Sequence, residues 1–425
     1  MKDLFGFPYF EVEFDKKGKV VDRAAADGVL RHVRSEGTTD LFVLSHGWNN
    51  DIAEARDLYS RLVKRLRFVL DFAAPDGVVG RKYAVLGVFW PSKKFADKDL
   101  IPGGAASLGP VGDSALKVEL RNLRGAFDVR GADTKLKRAE ELVDRLDSPD
   151  AQKEYVQLMR ELLPRDEGSA EKRDEVPPAF YERAPSTLLR DLAKPERPLP
   201  GGRGGAAGLG NVFDRVKVGA RNLLNFVTYY QMKERAGLVG STGVSQLLRD
   251  IRVAAPQIRL HLAGHSFGGR LVTAAANAAD QGAVATLTLL QAAFSHHGFS
   301  TDYDHKGSRG LFCDVITAKK VKGPVLITHT ANDRAVGLAY PLASRIAGQQ
   351  AAALGDKDDP FGGIGRNGAQ KSNAVEKFRL SPLKTRYEFE GGSLYNLLAD
   401  DFVSDHSDVT DEEVAYAILS AVATT

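Results

Sequence analysis

The segment GHSFG at positions 264–268 places a serine, Ser266, between two glycines. A serine hydroxyl becomes a nucleophile when a nearby base takes its proton, and glycines two positions to either side leave room for a sharp turn. The run Ile258–Ala263 before it is typical of a buried strand, and the run Gly269–Ala279 after it is typical of a helix of small residues. This context predicts that Ser266 projects above the strand ends beside a helix N-terminus; the alternative is a glycine-rich connection whose serine only caps the helix.

A general base for such a serine is expected in a loop after the last strand and before the closing helix. Among nine histidines, His406 has this position, because it directly precedes the predicted helix Asp411–Val422. The alternative is a surface histidine among acidic residues. Four other histidines come too early in the chain: His265, His296, His297 and His305. The adjacent pair 296–297 could suggest metal ligation, but no H-E-x-x-H or comparable spacing is present, so no metal is predicted.

An acid that orients the base is expected directly after a strand that follows the nucleophile helix. Asp333 follows the apolar strand Pro324–Thr330 and is the leading candidate. Its carboxylate would hold one tautomer of the imidazole and stabilise the imidazolium that forms. Asp302 and Asp304, which follow the strand Thr286–Gln291, remain alternatives, and an Asn-Asp pair after a strand is also common turn chemistry.

A second glycine turn, HGWNN at 46–50, follows the predicted buried strand Leu41–His46. Ligands of open α/β sheets bind at the carboxyl ends of the strands, so a backbone N–H can be presented there. We assign the oxyanion hole to the N–H groups of Trp48 and Phe267. His46 is interpreted as a hydrogen-bonded structural residue. Four further residues are predicted to line the substrate site: Gly47, Asn49, His265 and Trp90.

Apolar runs and helical patterns alternate along most of the chain, which favours a mostly parallel sheet flanked by helices. Besides the strands already named, the pattern predicts an edge strand at Phe10–Phe14, a buried strand at Tyr83–Trp90 and a closing strand at Thr385–Glu390. Positions 93–240 interrupt this rhythm with charged helical segments. We therefore expect one α/β core, formed by 1–92 and 241–425, and one helical cap insertion at 93–240.

Composition narrows the function classes. The formal net charge is +3 in 425 residues, which does not favour nucleic acid, and apolar residues make up 43%, enough for a large core. A single cysteine, Cys313, cannot form an internal disulfide. No secretory signal pattern or long apolar run is present, so we expect a cytoplasmic protein without stable membrane insertion. No cofactor is predicted, and the oligomeric state is left open.

Three motifs together resemble a known family. They are HGWNN at 46–50, FWPS at 89–92 and LAGHSFGGRLV at 262–272. They resemble those of the α/β-hydrolase superfamily, specifically the bacterial serine hydrolases related to DUF900 proteins, over Leu41–Trp90 and Tyr229–Thr425. The resemblance implies the α/β-hydrolase fold, the chain order Ser, Asp, His, and ester or related acyl chemistry. The charged insertion departs from compact members.

The sequence therefore predicts a serine hydrolase that cleaves carboxylic esters through an acyl-enzyme on Ser266. A small-molecule ester or acyl compound is the expected substrate. A serine peptidase or amidase is the alternative within catalysis. A non-catalytic α/β-hydrolase-like scaffold that binds an acyl ligand or a protein is the alternative outside it.

Overall fold

A computed structural model describes residues 2–48, 50–92, 113–165, 176–194, 212–333, 343, 345–347 and 357–425. The chain divides into two compact units. The first unit comprises Met1–Lys94, Met232–Gly337 and Gly362–Thr425, and the second comprises Phe95–Gln231 and Leu338–Phe361. The second unit thus covers most of the expected insertion and also takes in a segment from the C-terminal half.

Nine strands of the first unit form one sheet. They are β1 (Lys2–Leu4), β2 (Phe7–Glu13), β3 (Asp40–Ser45), β4 (Tyr83–Phe89), β5 (Arg259–His265), β6 (Thr286–Leu290), β7 (Val325–His329), β8 (Val375–Arg379) and β9 (Leu394–Leu398). Their order across the sheet is β1-β2-β4-β3-β5-β6-β7-β9-β8. Only β1 and β2 are antiparallel, and all other neighbours are parallel, so the carboxyl ends of β3, β5, β6, β7 and β9 meet at one edge.

Helices flank this sheet, as the alternating pattern predicted. In the first unit they are α1 (Arg23–Ser35), α2 (Ile52–Phe72), α9 (Ser245–Ala254), α10 (Phe267–Asn277), α11 (Cys313–Thr317), α12 (Ile364–Asn367) and α13 (Glu412–Val422). The second unit contains α3 (Asp113–Asn122), α4 (Ala132–Leu142), a 3₁₀ turn (Val143–Arg145), α5 (Pro149–Leu162), α6 (Ala179–Glu182) and α7 (Pro185–Leu192). Helix α8 (Val212–Leu238) contains the boundary between the units and continues into a π-helical turn, Val239–Val244.

The central strands are buried along their whole length, which explains why their sequences are continuous apolar runs. Every residue of β3, β4 and β6 is buried. Helix α13 buries its residues from Val414 to Val422 and packs with α2 against the same core. Strand β5 lies between β3 and β6, so whatever follows β5 lies close to the ends of two neighbouring strands.

Two strand predictions were wrong. Phe10–Phe14 does not form an edge strand, because β2 lies between β1 and β4. No strand forms at Thr385–Glu390 either; β9 pairs with β7, and β8 occupies the edge. The alternating apolar residues in that segment pack as rings instead: Tyr387 stacks on Phe389 at a centroid distance of 4.8 Å.

In the part of the chain that the structure describes, no helix combines the length and apolarity needed to span a bilayer. The longest described helix, α8, is continuous, but its sequence contains charged residues such as Lys233 and Arg235.

Candidate active site

Ser266 sits in a strained turn between β5 and α10. Its φ of 55° and ψ of −124° lie in a region that non-glycine residues rarely adopt. The flanking glycines are needed for close approach: a Cβ on Gly264 would lie 2.3 Å from the carbonyl oxygen of Gly268, and a Cβ on Gly268 would lie 2.2 Å from that of Ser45. Strain at the residue that carries the hydroxyl, with its neighbours unable to change, is typical of a nucleophile turn.

The turn after β3 lies directly against this serine. A Cβ on Gly47 would come within 2.8 Å of the Cβ of Ser266. The next residue, Trp48, is half-buried, and its ring lies 5.9 Å from the ring of Phe267. Phe267 opens helix α10, where backbone N–H groups and the helix dipole favour negative charge. The two residues predicted to form the oxyanion hole therefore lie side by side next to Ser266.

Trp90, one of the predicted substrate residues, packs against His46. Trp90 is buried, stacks on His46 at 5.7 Å, and donates its indole N–H to the carbonyl oxygen of His46 at 2.9 Å. His46 donates from Nδ1 to the Gly47 carbonyl oxygen, and burial lowers its pKa to about 4. Trp90 and His46 thus stabilise the glycine turn through packing and hydrogen bonds. Asn49 lies outside the described residues.

Asp333 and His406 form a hydrogen-bonded pair. Nδ1 of His406 lies 2.9 Å from Oδ2 of Asp333, and because a carboxylate only accepts, Nδ1 carries the hydrogen. Asp333 is fully buried, whereas the side chain of His406 is 18% exposed. Burial by itself lowers the pKa of His406, but the charge and hydrogen bond of Asp333, together with the charge of Asp405, raise it above its ordinary value. The remaining nitrogen, Nε2, is left for another partner.

Asp302 and Asp304, the alternative acids, have their oxygens engaged within their own loop. Asp302 accepts from the backbone N–H of Gly307 at 2.9 Å, and Asp304 accepts from the hydroxyl and the backbone N–H of Ser308. Of the three candidate acids, Asp333 is the one that contacts the imidazole of His406.

No hydrogen bond between Ser266 and His406 is present among the described residues. Their link is His265, the residue before the serine: its ring lies 4.8 Å from the ring of His406, and its Nε2 lies 2.8 Å from the His406 carbonyl oxygen. Hydrogen bonds of unliganded active sites are often long and tighten when substrate binds. The structure therefore brings Ser266, His265, Asp333 and His406 together at the carboxyl edge of the sheet.

Sequence reasoning missed the residues that join the turn carrying Asp333 (residues 330–333) to the loop carrying His406 (residues 399–411, the base loop). Asp400 accepts from the hydroxyl of Thr330 at 2.7 Å and from the N–H of Ala331 at 3.0 Å. Asn332 donates to the carbonyl oxygen of Val403 at 2.9 Å, and Arg366 donates to that of Ala331 at 2.7 Å. No local pattern could reveal these contacts, because they depend on β7 and β9 being neighbours in the sheet.

A second strained residue, Gln291, was also missed. It follows β6, is fully buried, and has a φ of 41°. The residues beside it bond to the serine: the N–H of Ser266 donates to the Leu290 carbonyl oxygen at 3.1 Å, and the N–H of Ala293 donates to the Ser266 carbonyl oxygen at 3.0 Å. This bend after β6 thus holds the backbone of the serine turn, and a glutamine in left-handed backbone carries no sequence signal.

Within the described residues, no group of three or more histidine, cysteine, aspartate or glutamate side chains could hold a metal ion. The adjacent pair His296 and His297 is buried, and the two rings lie 4.0 Å apart. His297 also stacks on Tyr303 with an interplanar angle of 3°. These histidines therefore belong to a packed aromatic cluster.

No protein-family model matches the sequence, and no similar protein was found among curated proteins or solved structures.

Proposed function

We propose that this protein is a serine hydrolase with the α/β-hydrolase fold, acting on carboxylic esters. The observation that carries the proposal is the strained turn of Ser266 beside the pair formed by Asp333 and His406. A strained serine between a strand and a helix, followed along the chain by an aspartate and then a histidine, is the arrangement of nucleophile, acid and base in this class of enzyme.

The proposed reaction begins with proton transfer from Oγ of Ser266 to Nε2 of His406. The oxygen attacks the ester carbonyl carbon, and the negative charge that develops on the carbonyl oxygen is stabilised by the N–H groups of Phe267 and Trp48. Collapse of this intermediate breaks the bond to the alcohol, which leaves with the proton from His406. Water then gives a proton to His406 and attacks the acyl carbon. The bond between this carbon and Oγ breaks, the carboxylic acid leaves, and His406 returns the proton to Oγ of Ser266.

Asp333 supports this cycle without changing its own protonation. Its hydrogen bond fixes the tautomer of His406 in which Nε2 can accept a proton, and its charge stabilises the imidazolium. Gly47 supports it sterically, because the close contact with Ser266 leaves no space for a side chain at position 47.

A fluorophosphonate probe tests the proposal. An activated serine displaces fluoride from the probe and keeps the phosphonyl group, which mass spectrometry locates. We expect labelling at Ser266 in the folded protein and loss of labelling in Ser266→Ala. The matched control is Ser420→Ala, another buried serine, whose hydroxyl donates to the Tyr416 carbonyl oxygen; it should label like the unaltered protein. Folded protein that takes no label, or label that persists in Ser266→Ala, would contradict the proposal.

A further inference from the structure

Among the described residues, the side chain of His265 makes one hydrogen bond, and its partner is the backbone of His406. It is the last residue of β5, directly before Ser266. Its Nε2 lies 2.8 Å from the backbone carbonyl oxygen of His406, 141 positions away along the chain. Since a carbonyl oxygen only accepts, Nε2 carries the hydrogen and donates it.

The other ring nitrogen of His265 is buried without a hydrogen-bond partner among the described residues. It faces the glycine turn, because a Cβ on Gly47 would lie 3.2 Å from it. Burial, aided by the nearby charge of His406, lowers the pKa of His265 to about 3, so the ring is neutral at ordinary pH. Burying an imidazole with one nitrogen unpaired is unfavourable compared with an apolar side chain of similar size. Within the described part of the chain, the hydrogen bond to His406 is the interaction that an apolar residue at this position could not make.

His406 forms two hydrogen bonds, one to a group that accepts and one to a group that donates. Asp333 holds its side chain through Nδ1, and His265 holds its main chain through the carbonyl oxygen. One contact alone leaves the imidazole free to move with the loop or to rotate about its side-chain bonds. Both contacts together fix the direction of Nε2 relative to the residue that follows His265, which is Ser266.

We propose that His265 is a positioning residue for the base. It does not contact the reacting atoms; it fixes the backbone of His406 so that Nε2 faces the hydroxyl of Ser266. This rests on the proposed function, and it replaces the interpretation of His265 as a substrate contact.

Substitutions at position 265 separate this role from simple packing. Gln can present an amide N–H near the position of Nε2, whereas Leu has no donor and Asn is too short to reach the carbonyl oxygen of His406. We expect His265→Leu to lower kcat on a short aryl ester by about 10- to 100-fold, with little change in KM, because the base is displaced from the serine. We expect His265→Gln to recover most of this loss and His265→Asn to recover little.

The pH profile provides the readout that packing alone would not change. A loosened His406 should contact Asp333 less firmly, so the acid limb of kcat/KM in His265→Leu and His265→Asn should move to lower pH, while His265→Gln should resemble the unaltered protein. The matched control is His297→Leu, which removes another buried histidine whose pKa burial lowers to about 4. It should reduce thermal stability and leave the acid limb in place.

An NMR titration of the His406 ring in a Ser266→Ala background makes the test independent of catalysis. We expect its midpoint to fall in His265→Leu and in His265→Asn and to be kept in His265→Gln. Unchanged midpoints and an unchanged acid limb in the variants without a donor would overturn the positioning role. Failure of fluorophosphonate labelling would instead overturn the proposed function, and the NMR titration would still decide whether His265 positions His406. If His265→Leu does not fold, the comparison of Gln with Asn carries the test.

Discussion

Two histidines of the sheet unit each hydrogen-bond to a fully buried aspartate. One lies where the parallel strands end, at the carboxyl edge, and the other lies near where they begin, at the amino edge. At the carboxyl edge, His406 contacts Asp333 through Nδ1. At the amino edge, Nε2 of His261 lies 3.0 Å from Asp40, and Nδ1 lies 2.9 Å from the hydroxyl of Thr286. The amino edge therefore contains a complete hydroxyl–imidazole–carboxylate chain, with the two ring nitrogens exchanged.

The difference between the two edges lies in access and charge. Thr286, His261 and Asp40 are each at most 1% exposed, and Asp40 also pairs with Arg81 at 3.0 Å. Burial lowers the pKa of His261 despite its contact with Asp40, whereas the pKa of His406 is raised. Under the proposed function, the carboxyl edge would serve catalysis because it places a hydroxyl on a strained turn beside the imidazole and carboxylate, whereas the amino-edge chain is enclosed in the core.

The largest expected difference between the edges is in activity. Asp333→Asn should lower kcat on an aryl ester by about 10⁴-fold, because the amide no longer selects the reactive tautomer of His406. Asp40→Asn should leave kcat nearly unchanged at a temperature at which the variant is folded. Steady-state kinetics of the two variants measure this contrast, and similar losses in both would show that the amino edge takes part in turnover.

Stability should show the reverse order. Asp40→Asn leaves the buried His261 and the partly buried Arg81 without this carboxylate, so the free energy of unfolding should fall by about 3–5 kcal/mol. Asp333→Asn should cost less, since the side chain of His406 is partly exposed and can contact water. Urea denaturation of both variants checks the order. A larger loss in Asp333→Asn would contradict the account of Asp40 as a structural charge.

The hydroxyl groups should give a smaller effect of the same kind. Thr286→Val removes the partner of Nδ1 of His261 and should lower the free energy of unfolding by about 1–2 kcal/mol, with activity retained. Ser266→Ala should abolish activity and change stability little, because the described residues form no hydrogen bond with its hydroxyl. Paired unfolding and kinetic measurements test this dissociation, which a loss of activity in Thr286→Val would break.

The smallest expected effect is the pH dependence. Because the pKa of His406 is raised, the fraction of its neutral form, and hence the activity, should rise with pH, with a midpoint above about 6.5.

The raised pKa of His406 also contributes stability that is fully present below about pH 6.5 and is lost as the pH rises through the folded-state pKa. For His261, whose pKa is lowered, stability is lost as the pH falls below about 6.5. Unfolding curves of His406→Gln and His261→Gln across this range should therefore diverge from the unaltered protein in opposite directions, and parallel behaviour would contradict the difference between the pairs.

The serine turn illustrates what local sequence can predict. Ser266 was placed between a strand and a helix from its glycines and its neighbours alone, and β5 and α10 lie there. The motif predicts that positions 264 and 268 have no space for a side chain. A Cβ at these positions would lie 2.3 Å and 2.2 Å from the nearest backbone oxygen. The strand, the turn and the helix can be predicted locally because they follow one another along the chain, whereas the contact between Gly268 and Ser45 also depends on β3 lying next to β5.

The closing strands illustrate what local sequence could not predict. The alternation at Thr385–Glu390 indicated a strand, but its aromatic rings pack on one another and on the core, while Leu394–Leu398 pairs with β7. The short segment that forms β9 has no stronger pattern than its neighbour. The choice between them depends on which segment reaches the open edge of β7, and that is a property of the assembled sheet.

The sequence by itself determined the serine turn, the glycine turn after β3, the alternation of strands and helices, and the candidate acid and base, because residue type and short-range order dictate them. Only the tertiary structure decided that Asp333, rather than Asp302 or Asp304, meets His406, and that His265 holds the backbone of His406 while Trp90 lies beneath the glycine turn. The physical reason is that hydrogen bonds between residues up to 141 positions apart form only after strand order and register bring the loop ends together.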